Sequence, residues 1–486
     1  MESTSHAFKS NSDRALADEQ LQRALLNVKR GFVYKRAKAR EALPEFDALK
    51  RQAREIKDHT LANLDIYLEE YERKVVESGG HVHWAATAED ARRIVLKLCQ
   101  DAGAKSVTKG KSMIAEEIGL NGALEAAGLE VVETDLGEYI IQIRGEGPSH
   151  IIAPAIHLTR DQIEADFRRV HPTLPEDRRL DDPEQLVGEA RAMLRAKFLA
   201  ADVGITGANF LIAETGTSVI VTNEGNGDLT QLLPRVHIVI ASIEKITPTL
   251  EDASAILRVL ARSATGQEMS TYTTFSTGPR REGDPDGPEA YHVVLLDNGR
   301  TDMLGGEFHE MLRCIRCGAC MNHCPVYNAV GGHAYGWVYP GPMGAVLTPQ
   351  LIGVHEAGHL PNASTFCGRC ESVCPMEIPL TKLMRQWRTR EYDAGGAPWR
   401  VRAALKIWAL LAKRPELYHA VMRLGPAALA LLARGKGRLR SLPLAGGWTQ
   451  HRDFPAPEGP TFQSLWQAEA VRREAAAREA MMADAP

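Results

Sequence analysis

Seven of the chain's eight cysteines fall between positions 314 and 374. The chain has 486 residues, and its opening stretch, "MESTSHAFKSNSDRAL", has no apolar core of a secretory signal. Clustered cysteines in that setting point to metal ligation and not to disulfides. The first run is Cys314-Ile-Arg-Cys317-Gly-Ala-Cys320-Met-Asn-His-Cys324-Pro325. This is the C-x2-C-x2-C-x3-C-P spacing, in which three thiolates wrap one cubane and the fourth reaches across to a second. Gly318 lets the backbone pass close to the cluster, and Pro325 turns the chain away. Structural zinc usually pairs two separated C-x2-C knuckles, so the pattern reads as iron–sulfur.

A second, shortened run follows: "STFCGRCESVCP", from Ser364 to Pro375. It holds Cys367, Cys370 and Cys374. A complete run would place one more cysteine at position 364, which is serine. The crossed rule then assigns Cys314, Cys317, Cys320 and Cys374 to one [4Fe–4S] cluster, and Cys324, Cys367 and Cys370 to another. One iron of the second cluster lacks a thiolate. Ser364 is a candidate for it, although a hydroxyl is a harder donor with a far higher pKa than a thiol. Water, a histidine, a substrate carboxylate or a three-iron cluster are the alternatives. An open iron could bind substrate as a Lewis acid.

The elements that must position these residues follow from the apolar periodicity. Residues 1–75 read as amphipathic helices. From about 76 to 303, helical stretches such as "TAEDARRIVLKLCQDAG" alternate with short β-like runs. The runs are "LEVVET", "EYIIQI", "HIIAPAI", "NFLIAET", "SVIVTN", "RVHIVIAS" and "YHVVLLDN", which imply an α/β domain with a largely buried sheet. "STGPRREGDPDGPEA" is a surface loop. Residues 304–392 hold the cysteines. The 42-residue linker between the runs, with its helix-like "PQLIGVHEAG", predicts an α-helical dicluster ferredoxin domain of the kind in succinate dehydrogenase iron–sulfur subunits. Residues 393–486 form a helical C-terminal region.

Composition is that of an ordinary globular protein: 44% hydrophobic, 25% charged, net charge −4. It gives no sign of nucleic-acid binding. The most apolar late stretch, "LGPAALALLA", is too short to span a bilayer, so a cytoplasmic location is expected.

Four further features compete for a role. His355-Glu356-Ala357-Gly358-His359 matches the zinc-protease H-E-x-x-H, but Pro349 and Pro361 bracket it and Gly358 interrupts it. It reads as a helix packed over the cluster, or as the source of a histidine ligand. "TKGKSM" (Thr108 to Met113) lacks the first glycine of a P-loop, since Lys105 stands there; it is a solvated loop or a small-anion site. "GITGANFLIAETGTSVIVTNEGNGDLT" gathers Glu214, Asn223, Glu224 and Asn226 at turns between strands, as a ligand pocket or as capping residues. Between Arg400 and Arg440, ten Lys/Arg accompany a single acid, Glu416, on a helical hairpin whose basic face is solvated or meets an acidic partner or membrane. Cys99 reads as a buried core thiol.

"GITGANFLIAETGTSVIVTNEGNGDL", "RVHIVIASIEKITPTLED", "CIRCGACMNHCPVY", "YGWVYPGPMGAVLTP" and "CGRCESVCP" together resemble the lactate-utilisation iron–sulfur protein B family, over nearly the whole chain. The resemblance implies a lactate-utilisation domain with a NagB/RpiA/CoA-transferase-like fold, then a dicluster domain and a characteristic C-terminal region. It also implies two [4Fe–4S] clusters and serine as the common residue at position 364. The implied function is electron transfer during oxidation of L-lactate to pyruvate. The implied partners are a cysteine-rich companion, a second companion with only the lactate-utilisation domain, and a quinone-linked acceptor. A catalytic subunit that binds a 2-hydroxy acid at the open iron, or a docking scaffold for the companions, are the rival expectations.

Overall fold

The computed structural model describes residues 3–442 except 173 and 176, then 446–449 and 452–483. It divides into two compact units, Met1–Gly396 and Ala397–Pro486.

The centre of the first unit is a six-stranded sheet. Its strands are β1 (His81–Ala85), β2 (Ser106–Lys109), β3 (Glu130–Glu133), β4 (Val203–Gly207), β7 (Val236–Ser242) and β10 (Ala290–Leu296). Their order is β1-β10-β7-β4-β2-β3, and every pairing is parallel. Alternate residues of β7 feed two cores: Ile238 and Ile240 meet Ala91, Val95 and Cys99, while Val239 and Ala241 meet Leu64, Leu68 and Tyr71. Both faces of β7 are covered, so it reads as a continuous apolar run.

A second sheet of four strands, in the order β8-β5-β6-β9, lies beyond the carboxyl ends of the first. It comprises β5 (Phe210–Ile212), β6 (Thr217–Thr222), β8 (Ile246–Thr247) and β9 (Tyr272–Ser276). Phe210, Ile212 and Val219 share one apolar core with Ile256 and Val259 of the helix Leu250–Ala264, and with Met311, Met343 and Trp387 of the cysteine region. The α/β and cysteine regions are thus fused by packing.

Two expected strands are absent. "EYIIQI" lies in a helix, Leu136–Arg144, because the Asp135 carboxylate accepts from the N–H groups of Gly137 and Glu138 and starts it. "HIIAPAI" is a turn held by His150, whose Nδ1 accepts from the N–H groups of Ile152 at 3.0 Å and Ala153 at 3.1 Å.

The helices expected before residue 75 form, and they clasp the cysteine region. Arg36 donates to Val373 O at 2.9 Å, Arg54 pairs with Glu377 at 2.8 Å, and Gln22 donates to Ala329 O at 2.8 Å. The second unit carries a helical hairpin, Trp399–Ala412 and Pro415–Ala433. Its apolar residues Leu405, Trp408, Leu424 and Leu431 are exposed beside the basic ones. No described helix is long and apolar enough to cross a membrane.

Candidate iron–sulfur site

The two cysteine runs fold alike at an offset of 50 residues. Gly318 and Gly368 both have a left-handed φ, +72° and +73°, which glycine adopts without strain. Each opens a four-residue helix, Ala319–Asn322 and Arg369–Ser372. Two residues before each glycine, Arg316 and Phe366 are also left-handed, at φ +59° and +53°. Cys314 (φ −67°, ψ 118°) and Ser364 (φ −70°, ψ 134°) begin the loops in matching extended conformations. Ser364 therefore stands where Cys314 stands in the other copy, in a backbone shaped for a ligand.

Two cavities each draw cysteines from both runs. One is lined by Cys314, Cys317, Cys320 and Cys374. The other is lined by Cys324, Cys367, Cys370 and Ser364. Four soft donors round one hollow, and three with a hydroxyl round the other, fit iron–sulfur cubanes. Burial pushes Cys317 and Cys370 up to about 12 and Cys374 to about 11. These thiols are protonated at neutral pH until iron arrives, so assembly must release protons. Cys367 differs: it is exposed, and the N–H of Arg369 holds its thiol below the ordinary value.

The Ser364 hydroxyl is half-buried and accepts from the Phe366 N–H at 3.1 Å. Among the described residues no histidine or carboxylate lines that cavity. His359 donates its Nε2 proton to Ser5 O at 2.7 Å, and His355 is exposed on a four-residue helix. The pair is neither a zinc-protease helix nor a source of a cluster ligand.

The first cavity sits in a buried ionic network. Arg300 grips Glu117 with two bonds, at 3.0 and 2.8 Å, and Tyr339 donates to the same carboxylate at 2.7 Å. Glu244 lies 2.9 Å from Arg300 Nε and 3.3 Å from Arg316. The Arg300–Glu244 contact is poorly aligned and leaves both atoms without a formal hydrogen bond. Burial alone would raise Glu244, but Arg300 and Arg316 outweigh it and lower the carboxyl to about 2. Lys57 donates to Ile246 O at 3.2 Å and also to Glu244 O. Four buried cations (Lys57, Lys245, Arg300, Arg316) thus face two buried carboxylates (Glu117, Glu244). A thiolate at Cys314 would add to the negative charge of Glu244, which Lys57 and Lys245 feel more strongly, and would face Arg316 together with Tyr339.

A larger cavity of about 310 Å³ adjoins this network. Its floor is the carboxyl ends of β2, β4 and β7: Gly110 to Met113, Thr206 to Asn209, and Ile240. Asn223, Glu224 and Asn226 line it, so the polar turns expected to make a pocket do so. Glu214 does not reach it, because its carboxylate caps Leu250 N at 2.7 Å. Of "TKGKSM", Lys109 is spent on buried ion pairs with Glu133 at 2.7 Å and Glu116 at 3.1 Å. Lys111 faces the cavity and donates to Ile152 O at 2.5 Å. Cys99 is buried in the sheet's core, its thiol raised to about 12 by burial.

Sequence reasoning missed Arg316, Lys57, Glu244, Lys245 and His150. Only Arg316 carried a signal, an arginine inside the first C-x2-C.

A parallel α/β core fused to a helical 4Fe–4S dicluster domain defines the class of protein. Family models match in the same order: the LUD domain over residues 68–296, the 4Fe-4S dicluster domain over 310–378, and the lactate utilisation protein B C-terminal region over 386–471. Lactate utilization protein B of Bacillus subtilis (strain 168) is 42% identical over 471 residues, covering 95% of this chain and 96% of that one. Its counterpart in Geobacillus kaustophilus is 44% identical over 446 residues, covering 90% and 91%. The uncharacterized electron transport protein YkgF of Escherichia coli K12 is 40% identical over 460 residues, covering 95% and 96%. The chain belongs to the lactate utilization protein B family.

Proposed function

We propose that the chain is a cytoplasmic iron–sulfur electron-transfer subunit of a system that oxidises L-lactate to pyruvate. The observation that carries this reading is the pair of thiol-lined cavities in crossed arrangement. In the proposal Cys314, Cys317, Cys320 and Cys374 hold one [4Fe–4S] cluster. Cys324, Cys367 and Cys370 hold the second, with Ser364 or a water beside the remaining iron. When bound, such clusters accept and donate single electrons, so two neighbours can divide the pair released from a 2-hydroxy acid. The protein's part is to hold the ligands, exclude water from the first cavity and offset its negative charge with Lys57, Lys245 and Arg316.

The relatives' names support the metabolic setting: lactate utilization in Bacillus and Geobacillus, electron transport in E. coli. We place the lactate-utilisation domain at residues 76–303, with a NagB/RpiA/CoA-transferase-like topology, and the dicluster domain at 304–392. The helical regions 1–75 and 393–486 flank them. The companions in the proposal are a cysteine-rich subunit and a second lactate-utilisation-domain subunit, with a quinone-linked acceptor downstream.

Iron and acid-labile sulfide per chain, with EPR on anaerobically reconstituted protein, test the reading. Two reducible clusters whose electrons pass to an added quinone analogue support it. A chain that binds zinc in preference and shows no reducible centre refutes it.

A further inference from the structure

We propose that the 310 Å³ cavity at the carboxyl ends of β2, β4 and β7 binds a short 2-hydroxy or 2-oxo carboxylate, its carboxylate at Lys245 and Arg316. The identity of the ligand rests on the lactate-oxidation reading above; the existence of an anion site does not.

Topology places a site here first. From β2 the chain moves outward to β3, then returns to β4 on the other side of β2. The turns after β2 and β4 therefore diverge, and a crevice opens between them, where open α/β sheets bind ligands. The cavity fills that crevice, and its size lies at the lower end of the roughly 300–1,000 Å³ usual for small-molecule sites.

The lining then selects the ligand. Lys245 is 93% buried, from 7% relative exposure, and lines this cavity but not the neighbouring thiol cavity. Among the described residues its ammonium has no hydrogen bond or ion pair. With no such partner, the ammonium opens on the cavity, where an entering anion can reach it. Arg316 lines the same cavity; its one carboxylate contact is the 3.3 Å pair with Glu244, and its Nε is buried without a partner. The other charged lining residues are mixed, with Lys111 near Asp135 and Glu224, so the net positive charge of the lining is that of Lys245 and Arg316. Asn226 lines the cavity and its side-chain amide has no partner among the described residues, which leaves it free for a hydroxyl or keto oxygen. Ile151 and Ile152 offer an apolar wall for an alkyl group.

Position completes the argument. Arg316 and Ile151 line both this cavity and the one that holds Cys314, Cys317, Cys320 and Cys374. No residue that lines this cavity also lines the one that holds Ser364. The bound acid is therefore next to the first set of thiols, not at the open position of the second.

The test is isothermal titration of the full-length, anaerobically reconstituted chain with L-lactate, pyruvate and inorganic phosphate, in wild type, Lys245→Met and Ala264→Leu. Ala264 lines the cavity, and the larger side chain takes up part of it while leaving every charge in place. Saturable 1:1 binding of L-lactate or pyruvate, weakened about ten-fold or more in both variants at unchanged iron content, is the expected result. If Lys245→Met fails to load iron, Ala264→Leu alone decides. Absence of carboxylate binding in wild type, binding untouched by Ala264→Leu, or binding of phosphate alone overturns the proposal. A chain that loads clusters and passes electrons yet binds no carboxylate sinks this site and leaves the electron-transfer reading intact. A chain that loads no cluster sinks that reading, and titration of the iron-free chain still decides the cavity.

Discussion

Glu244→Gln is the substitution whose effect the structure specifies most fully. The side chain keeps its size and loses its charge. Arg300 retains its two bonds to Glu117, but Arg316 is left with only the Tyr339 ring, 4.9 Å from its guanidinium carbon. Glu244 is 3% exposed, so water cannot take over the carboxylate's role. Breaking one partner of a buried ion pair costs about 3–5 kcal/mol, because a charge remains uncompensated. Thiolate ligation near Arg316 offsets part of that cost, so the iron-free chain should show the larger loss. The assay is urea unfolding followed by tryptophan fluorescence, on iron-free and reconstituted protein, with Arg316→Met and the double variant closing a mutant cycle. The double variant should recover part of the loss, since it removes the orphaned charge as well. A single-variant change within about 0.5 kcal/mol of wild type, or strictly additive effects, would refute the reasoning. pH gives an independent check. Glu244 is lowered from its ordinary 4.5 to about 2, so its contribution is present above about 4.5 and fades as pH falls toward 2. Wild type should lose stability through that window more steeply than Glu244→Gln.

Ser364→Cys should give a complete second ligand set, since the backbone at 364 matches that at Cys314; a changed EPR signal of the second cluster, with its fourth iron retained on oxidation more firmly than in wild type, is expected, and unchanged spectra and iron retention would mean that position 364 faces away from the metal. Cys374→Ser should perturb the same EPR signal as Cys317→Ser, and Cys324→Ser the same signal as Cys370→Ser; grouping by run in place of by cavity would refute the crossed assignment. Lys57→Met removes a buried cation close to Cys314 and should shift one midpoint potential negative by on the order of tens of millivolts in a redox titration, leaving the other in place; an equal shift of both would contradict the placement.

The ligand residues were legible in the sequence because cubane chemistry needs short loops. Three thiols must close on one hollow within a few residues, so the spacing survives as a local pattern, and so does the gap at Ser364. The apolar runs of β3, β7 and β10 were legible for a similar reason, as largely buried parallel strands, and that of β6 as a largely buried antiparallel one. β1, with its histidines and half-exposed tryptophan at an edge, and β2, with the buried Lys109, broke that pattern and went unread. "EYIIQI" was misread because its apolar run suits either element, and the cap that decides it is a single side chain, Asp135.

Arg316 apart, the charges round the first cavity could not be read, and the reason bears on function. Glu117 and Arg300 are 183 positions apart, and Glu244 and Arg316 are 72 apart. No periodicity or motif links them; only the tertiary fold does. Yet Glu244–Arg316 is the ion pair by which the end of the α/β sheet meets the first cysteine loop, and Arg300 links Glu244 to Glu117 behind it. A cluster loop that merely had to hold iron could have been packed with apolar side chains at lower cost, since buried ion pairs are weak stabilisers. Glu244 instead fixes Arg316 between the thiols and the sheet's crevice, with Lys245, the next residue in the chain, on the crevice wall. The costly arrangement is thus located at the one boundary where a bound anion and a reducible centre would have to sense each other.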